Sequence, residues 1–291
     1  MSTTEGHATV NDVELTYLEV GSGPLALCLH GFPDSAFTYR HLLPALAEAG
    51  FRAVAPFMRG YAPSAVPSDG RYQTAVLALD ACELHETLGG GGDAVIIGHD
   101  WGAMATYIAA NHEPERWRRV VTMAVPPAGA VAGGFLRYEQ LKKSWYMFFF
   151  QHGLADVVVG MDDLAFIEGL WADWSFGYDG AEDVAHAKDA LRDPANLAAA
   201  LGYYRATLAN VGVDPALDGV QAVAANPTTQ PTLYLHGRTD GCMGADLAGE
   251  AVSALTHPGS RVELVDGAGH FLHVERPDAV NQVVLDFLAE A

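Results

Sequence analysis

The chain has 291 residues, half of them apolar and 18% charged, with 36 acidic against 16 basic side chains and a formal net charge of −20. That composition fills one large α/β domain, or a core with an inserted subdomain, and excludes a disordered chain. The charge repels nucleic-acid phosphates and anionic membranes, so neither is expected as a partner; monomer and homodimer are both open.

The first residues, MSTTEGHATVNDVEL, lack a basic segment followed by an apolar one, so no signal peptide is expected. VELTYLEVG (13–21) alternates as an exposed strand does, and LALCLHG (25–31) is a continuous apolar run, the pattern of a buried parallel strand. FRAVAPFMRG (51–60) is another such run. TAVLALDACELHETLG (74–89) has helical spacing and stops at the glycine run 89–92. DAVIIGH (93–99) predicts a strand, AMATYIAANH (103–112) a helix and WRRVVTMAVP (117–126) a strand. VVTMAVPPAGAVAGGFL (120–136) is long and uncharged, but its Pro-Pro and Gly-Gly pairs break a membrane helix, and it reads as a strand running into a loop.

Near residue 127 the pattern changes. YEQLKKSWYMFFFQ (138–151), DLAFIEGLWADWSF (163–176) and PANLAAALGYYRATLAN (194–210) are helical and rich in aromatics. PTLYLHGRTD (231–240), SRVELVDGAGH (260–270) and PDAVNQVVLDFLAE (277–290) restore strand–loop–helix alternation. The expected organisation is an α/β core over 1–126, a helical cap over 127–226 and the rest of the core over 227–291.

Cys28, Cys82 and Cys242 are odd in number, with neither a disulfide framework nor zinc-ligand spacing, and a reducing cytoplasm is the expected compartment. His270 and His273 have no completing ligand spacing, so neither a metal nor a cofactor is expected.

VIIGHDWGAM (95–104) carries the chemistry. A strand meets a helix through Gly98-His99-Asp100-Trp101-Gly102, a nucleophile elbow with aspartate where serine usually stands. Asp is also a common helix N-cap, and RTDG makes an ordinary turn. The chain order decides between these readings. Asp100, Asp240 and His270 each follow a predicted strand, in the order nucleophile, acid, histidine. Asp266 is a lesser candidate for the acid, and His30, His99 and His273 read as structural. HGFP (30–33) can aim the backbone N–H of Phe32 beside that of Trp101 as an oxyanion hole.

HGFPDS, MRGY, GHDWGA, SWYMFFFQ, YYR, HGRTDG and GAGHFLHVERP together resemble the α/β-hydrolase superfamily, in its branch of epoxide hydrolases and haloalkane dehalogenases. The resemblance implies the α/β-hydrolase fold: a mostly parallel central sheet with helices on both faces and an inserted helical cap. Two departures are Phe57 and Ala62, where the family often has the Asp and last Gly of DMRGYG, and Asp240-Gly241, where it often has Asp-Pro.

A carboxylate with an ordinary pKa near 3.9 is already ionised at neutral pH, but it is a feeble nucleophile suited to strained or activated sp³ carbon. The product is an ester on Asp100, to be hydrolysed by water that His270 activates while Asp240 holds the imidazole. By resemblance, epoxide hydrolases use two cap tyrosines on the epoxide oxygen, and these fall on Tyr146 and Tyr204. The implied activity is conversion of an apolar epoxide to a vicinal diol. Trp101, Phe32, Phe149 and Phe150 are the expected pocket residues, with Trp145, Phe148, Trp171 and Trp174 adding apolar surface. Haloalkane dehalogenation on the same triad is the enzymatic alternative, but Phe32 has no side-chain donor for a halide. Fluoroacetate dehalogenases tend to carry arginines after the nucleophile, and DWGAMATY has none. A non-catalytic ligand-binding protein on this fold is the alternative of another class.

Overall fold

A computed structural model describes residues 2–290. Its strands are β1 (Thr4–Val10), β2 (Val13–Gly21), β3 (Leu25–Leu29), β4 (Arg52–Pro56), β5 (Ala94–His99), β6 (Trp117–Met123), β7 (Thr232–Gly237) and β8 (Arg261–Val265). They form one sheet in the order β1-β2-β4-β3-β5-β6-β7-β8. β1 and β2 are antiparallel; from β4 across to β8 the strands run parallel.

The helices before β6 are α1 (Leu42–Glu48), α2 (Thr74–Thr87) and α3 (Trp101–His112). Between β6 and β7 come α4 (Ala128–Gly134), α5 (Tyr138–Lys143), α6 (Trp145–Phe149), α7 (Leu154–Gly160), α8 (Ala165–Trp174), α9 (Ala181–Leu191), α10 (Pro194–Ala209) and α11 (Asp218–Ala222). The chain then adds α12 (Asp246–Ala254), α13 (Leu272–Glu275) and α14 (Pro277–Ala289).

Every residue of β3, β5 and β7 is buried, which is why these segments read as continuous apolar runs. Successive side chains feed opposite faces. Leu27 and Ile96 join the cluster containing α2 and α3, whereas Ala26, Val95 and Ile97 join the one containing α1 and α14. Full burial of one such side chain stabilises the fold by about 1.5–3 kcal/mol. No helix among the described residues is long and apolar enough to cross a membrane.

The parallel order reverses between β3 and β5, since β3 leads outward to β4 while β5 begins the other half. Such a switch point opens a crevice beyond the carboxyl ends of the two strands. The loop 30–33 and Asp100 stand there.

Three elements differ from expectation. β1 is an edge strand, joined to β2 by Asn11 and Asp12 at positive φ, the turn that favours a tight hairpin. β2 is mostly buried rather than exposed, because β1 and α1 cover it. The stretch expected to loop after β6 instead forms the short helix α4.

α10 is built for its place. Asp193 caps its first turn, Pro194 begins it, and Asn210 in the left-handed region ends it. Asn196 donates to the Gly60 carbonyl (2.8 Å) and Tyr203 to that of Arg59 (2.8 Å), seating α10 on the loop after β4. That seating brings Tyr204 over the crevice.

Candidate active site

Asp100 sits at φ 52° and ψ −118° between β5 and α3. A non-glycine residue held there stores strain of about 1–3 kcal/mol, which the flanking packing must hold in place. The two glycines explain how. A Cβ on Gly98 would lie 2.2 Å from the Gly102 carbonyl oxygen, and one on Gly102 would lie 2.0 Å from that of Leu29. The turn is therefore so tight that only hydrogen fits at both corners. Gly102→Ala is expected to lower stability by about 1–3 kcal/mol, read from urea unfolding; an unchanged midpoint would show that the elbow relaxes freely.

The Asp100 carboxylate is buried. Its Oδ1 accepts the Phe32 N–H at 2.8 Å, and its Oδ2 lies 3.6 Å from His270 Nε2. A Cβ on Gly31 would lie 2.4 Å from Oδ1, so glycine there lets the loop close on the carboxylate. The Trp101 amide opens α3 and is among the first-turn N–H groups that a helix leaves without an internal partner.

His270 Nδ1 is 2.9 Å from Asp240 Oδ2, and both side chains are fully buried. Asp240 Oδ1 accepts the N–H groups of Cys242 (2.7 Å) and Met243 (2.8 Å). With those bonds and the imidazole, the carboxylate has a satisfied environment and a fixed direction. Asp266 pairs with Arg238 at the surface instead.

Electrostatics tie the three groups together. Burial opposes a charge on His270, but Asp240 and Asp100 outweigh it and raise its pKa to about 10. Burial pushes Asp100 and Asp240 up, yet His270 draws both below the usual carboxylate value. The resting charges are thus carboxylate, imidazolium, carboxylate. Stability from the raised His270 pKa is fully present below its ordinary 6.5 and is lost as pH rises through about 10.

Tyr146, on α6, and Tyr204, on α10, are buried with ring centroids 5.7 Å apart. Tyr204 stands edge-on to Trp101 at 4.9 Å and to Phe32 at 5.3 Å. Its hydroxyl has no hydrogen-bond partner among the described residues, while that of Tyr146 lies 3.3 Å from Cys242 Sγ. Burial foremost holds both phenols protonated, with Cys242 adding at Tyr146 and Asp100 at Tyr204.

A cavity of about 630 Å³ opens over Asp100, Trp101, Tyr146 and Tyr204. Its wall is apolar, from Met104, Ile108, Val131, Phe135, Met147 and Phe148 among others. Of the expected pocket residues, Trp101 lines it and Phe32, Phe149 and Phe150 do not. Phe32 supports Tyr204 from behind, and Phe149 and Phe150 pack on Phe166. Phe150 stands one helical turn after Tyr146, its N–H bonded to the Tyr146 carbonyl (2.9 Å), and its ring meets those of Tyr146 at 5.5 Å and Tyr204 at 5.1 Å, so it buttresses both phenols.

Several supporting residues carried no signal in the sequence. Gln140, on α5, donates to the Cys242 carbonyl and accepts the Gly244 N–H, each at 2.9 Å, fastening the loop after β7. Lys143 donates to the Asp240 carbonyl at 2.6 Å. The only hint lay in RTDGCM, whose turn chemistry predicts an Asp bonded to amides just ahead. His30 accepts the Met58 N–H (3.0 Å) and bonds the Gly31 carbonyl (2.9 Å); His99 bonds the His270 carbonyl (2.9 Å); His273 bonds Thr38 (2.6 Å). All three brace loops around the site.

Comparison with known proteins agrees with this architecture. The chain is 28% identical over 316 aligned positions to epoxide hydrolase A of Mycobacterium tuberculosis, covering 98% of this chain and 97% of that protein. The crystal structure of epoxide hydrolase A from Mycobacterium thermoresistibile matches with a TM-score of 0.80 at 27% identity, covering 99% and 98% of the two chains. That of Bacillus megaterium epoxide hydrolase in complex with an inhibitor gives 0.81 at 26% identity, covering 98% and 100%. The sequence model of the alpha/beta hydrolase fold family matches residues 24–277, from the start of β3 to the start of α14. With that span, the strand order and the elbow in agreement, the chain belongs to the alpha/beta hydrolase fold family.

Proposed function

We propose that the protein is an epoxide hydrolase, opening an uncharged apolar epoxide to a vicinal diol through an ester on Asp100. The observation that carries this reading is the meeting of two protonated phenols, Tyr146 and Tyr204, above a carboxylate gripped by the Phe32 N–H and His270. The similarity to epoxide hydrolases along the whole chain supports it.

Asp100 Oδ2, the oxygen without an amide donor, attacks a ring carbon. The carbon–oxygen bond of the ring breaks, and the departing oxygen takes a proton from a phenol. The ester has lost the Asp100 charge, one of the two that held the His270 proton. His270 gives that proton up, restoring the phenol, and becomes a neutral base. It then takes a proton from water as the hydroxide adds to the aspartyl carbonyl carbon. The Phe32 and Trp101 amides hold the oxyanion. Collapse breaks the ester carbon–oxygen bond, the proton of the added hydroxyl passes to the departing oxygen, and the diol leaves behind carboxylate and imidazolium, with one water consumed. The catalytic change of charge at Asp100 thus switches His270 from counter-ion to base.

The two phenols are tested separately from the triad. Tyr146→Phe and Tyr204→Phe are each expected to slow ester formation by about 10- to 100-fold, and the double variant by about 10³- to 10⁴-fold, with ester hydrolysis unchanged. Rapid-quench single-turnover measurements on aryl and alkyl epoxides separate the steps. Epoxide opening at the wild-type rate in the double variant would overturn the reading. The apolar wall further predicts that epoxides bearing a charge near the ring are poor substrates, read as kcat/KM across a panel.

A further inference from the structure

The C-terminal end of α8 reaches three of the loops that meet at Asp100. The Trp171 indole donates to the Pro33 carbonyl at 2.8 Å, on the loop that carries the Phe32 N–H. The last helical carbonyl, that of Trp174, accepts two amides at 3.0 Å each: Gly241, next to Asp240, and His270 itself. A helix end leaves such carbonyls unbonded, so this one is free to serve both loops.

Ser175 and Glu275 complete the contact. Ser175 Oγ donates to Glu275 Oε1 at 2.5 Å and accepts the Phe271 N–H at 3.3 Å. Glu275 Oε2 accepts the Gly269 N–H at 2.7 Å. The amides of residues 269, 270 and 271 are therefore each held, in turn by Glu275, by the Trp174 carbonyl and by Ser175. Two glycines make the approach possible. A Cβ on Gly241 would lie 2.0 Å from the Asp173 carbonyl oxygen, and one on Gly269 would lie 2.6 Å from that of Trp174. The Trp174 ring also meets the His270 ring edge-on, with centroids 5.1 Å apart.

We infer that the tip of α8, with Ser175 and Glu275, is a clamp by which the helical segment aims the His270–Asp240 pair for the second half-reaction. Ser175 and Glu275 are positioning residues: neither lines the cavity, and both act through the backbone on either side of His270. The inference rests on the two-step reading above. In alkylation the bonds are made and broken by Asp100 and the phenols, with His270 acting only through its charge, whereas hydrolysis needs His270 Nε2 aligned with water and the aspartyl carbon. A small rotation of the imidazole therefore penalises the second step.

The test uses the full chain and styrene oxide, with ester followed by time-resolved intact-mass spectrometry. Glu275→Ala is expected to slow ester hydrolysis by about 10- to 100-fold while ester forms at the wild-type rate, so that the adduct accumulates during turnover. Glu275→Gln keeps an acceptor for the Gly269 N–H and is expected to restore most of the hydrolysis. If Glu275→Ala does not fold, Ser175→Ala reads the same split with a smaller slowing. Hydrolysis at the wild-type rate in the folded variants, or equal slowing of both steps, overturns the clamp. Absence of any ester in the His270→Gln protein, where its hydrolysis is blocked, would instead overturn the reading of Asp100.

Discussion

Asp100→Asn is expected to abolish turnover, lowering kcat/KM by on the order of 10⁴-fold or more. Asparagine has nearly the same shape, and its carbonyl oxygen can still accept the Phe32 N–H that Oδ1 accepts at 2.8 Å. It also tolerates the positive φ of the elbow better than most residues. The fold is thus preserved while two properties vanish together. The amide has no anionic oxygen to displace at an sp³ carbon, and His270 loses one of the carboxylates that hold its proton. The measurement is diol formation from an epoxide that the wild type converts, with unfolding curves for both proteins. Turnover at the wild-type rate would remove position 100 from the chemistry and leave the two phenols without a reaction to assist.

Much of this architecture was legible in the chain because it is written in local pattern. β3, β5 and β7 are continuous apolar runs because both faces of the sheet are covered. Asp100, Asp240 and His270 follow β5, β7 and β8, and strand ends on one edge of a parallel sheet converge without further information. The Gly98 and Gly102 corners announced the elbow, since nothing larger fits them. What periodicity cannot carry is contact across great sequence separation. Gln140 grips the loop after β7 from 104 residues away, and Glu275 bonds a serine 100 residues distant. Neither residue differs in type from ordinary surface polar residues, so only the fold reveals them.

The aromatic run 145–150 shows the same limit from the other side. Phe149 and Phe150 lie three and four residues after Tyr146, the spacing that shares a helix face. Phe150 does share it: its N–H bonds the Tyr146 carbonyl (2.9 Å) and its ring meets those of Tyr146 (5.5 Å) and Tyr204 (5.1 Å), while Phe149 packs on Phe166 and Met147 and Phe148 border the cavity. The run supplies apolar surface to the cavity, but helical spacing from Tyr146 does not say which of its rings reach the lining.

His270→Gln is expected to slow ester hydrolysis by about 10²- to 10⁴-fold and to trap the protein with one intact substrate added to its mass. Glutamine can still donate toward Asp240, now 2.9 Å from the imidazole, but it accepts no proton at neutral pH. Asp100 and the phenols are untouched, so the first half-reaction proceeds. In water enriched in oxygen-18, one wild-type turnover places heavy oxygen in the peptide containing Asp100, and the trapped variant carries none. An adduct lighter than the intact substrate by a hydrogen halide, formed only from alkyl halides, would favour dehalogenation instead. The variant also has a pH signature. Burial raises the Asp100 pKa, and His270 is the main influence that draws it below the usual value. With the imidazolium gone, burial acts with less opposition and the pKa moves up. Ester formation in the variant is therefore lost at a higher pH, on acidification, than in the wild type. An identical acid limb in the two proteins would mean that His270 does not hold Asp100 ionised, and the charge switch between the two half-reactions would fall with it.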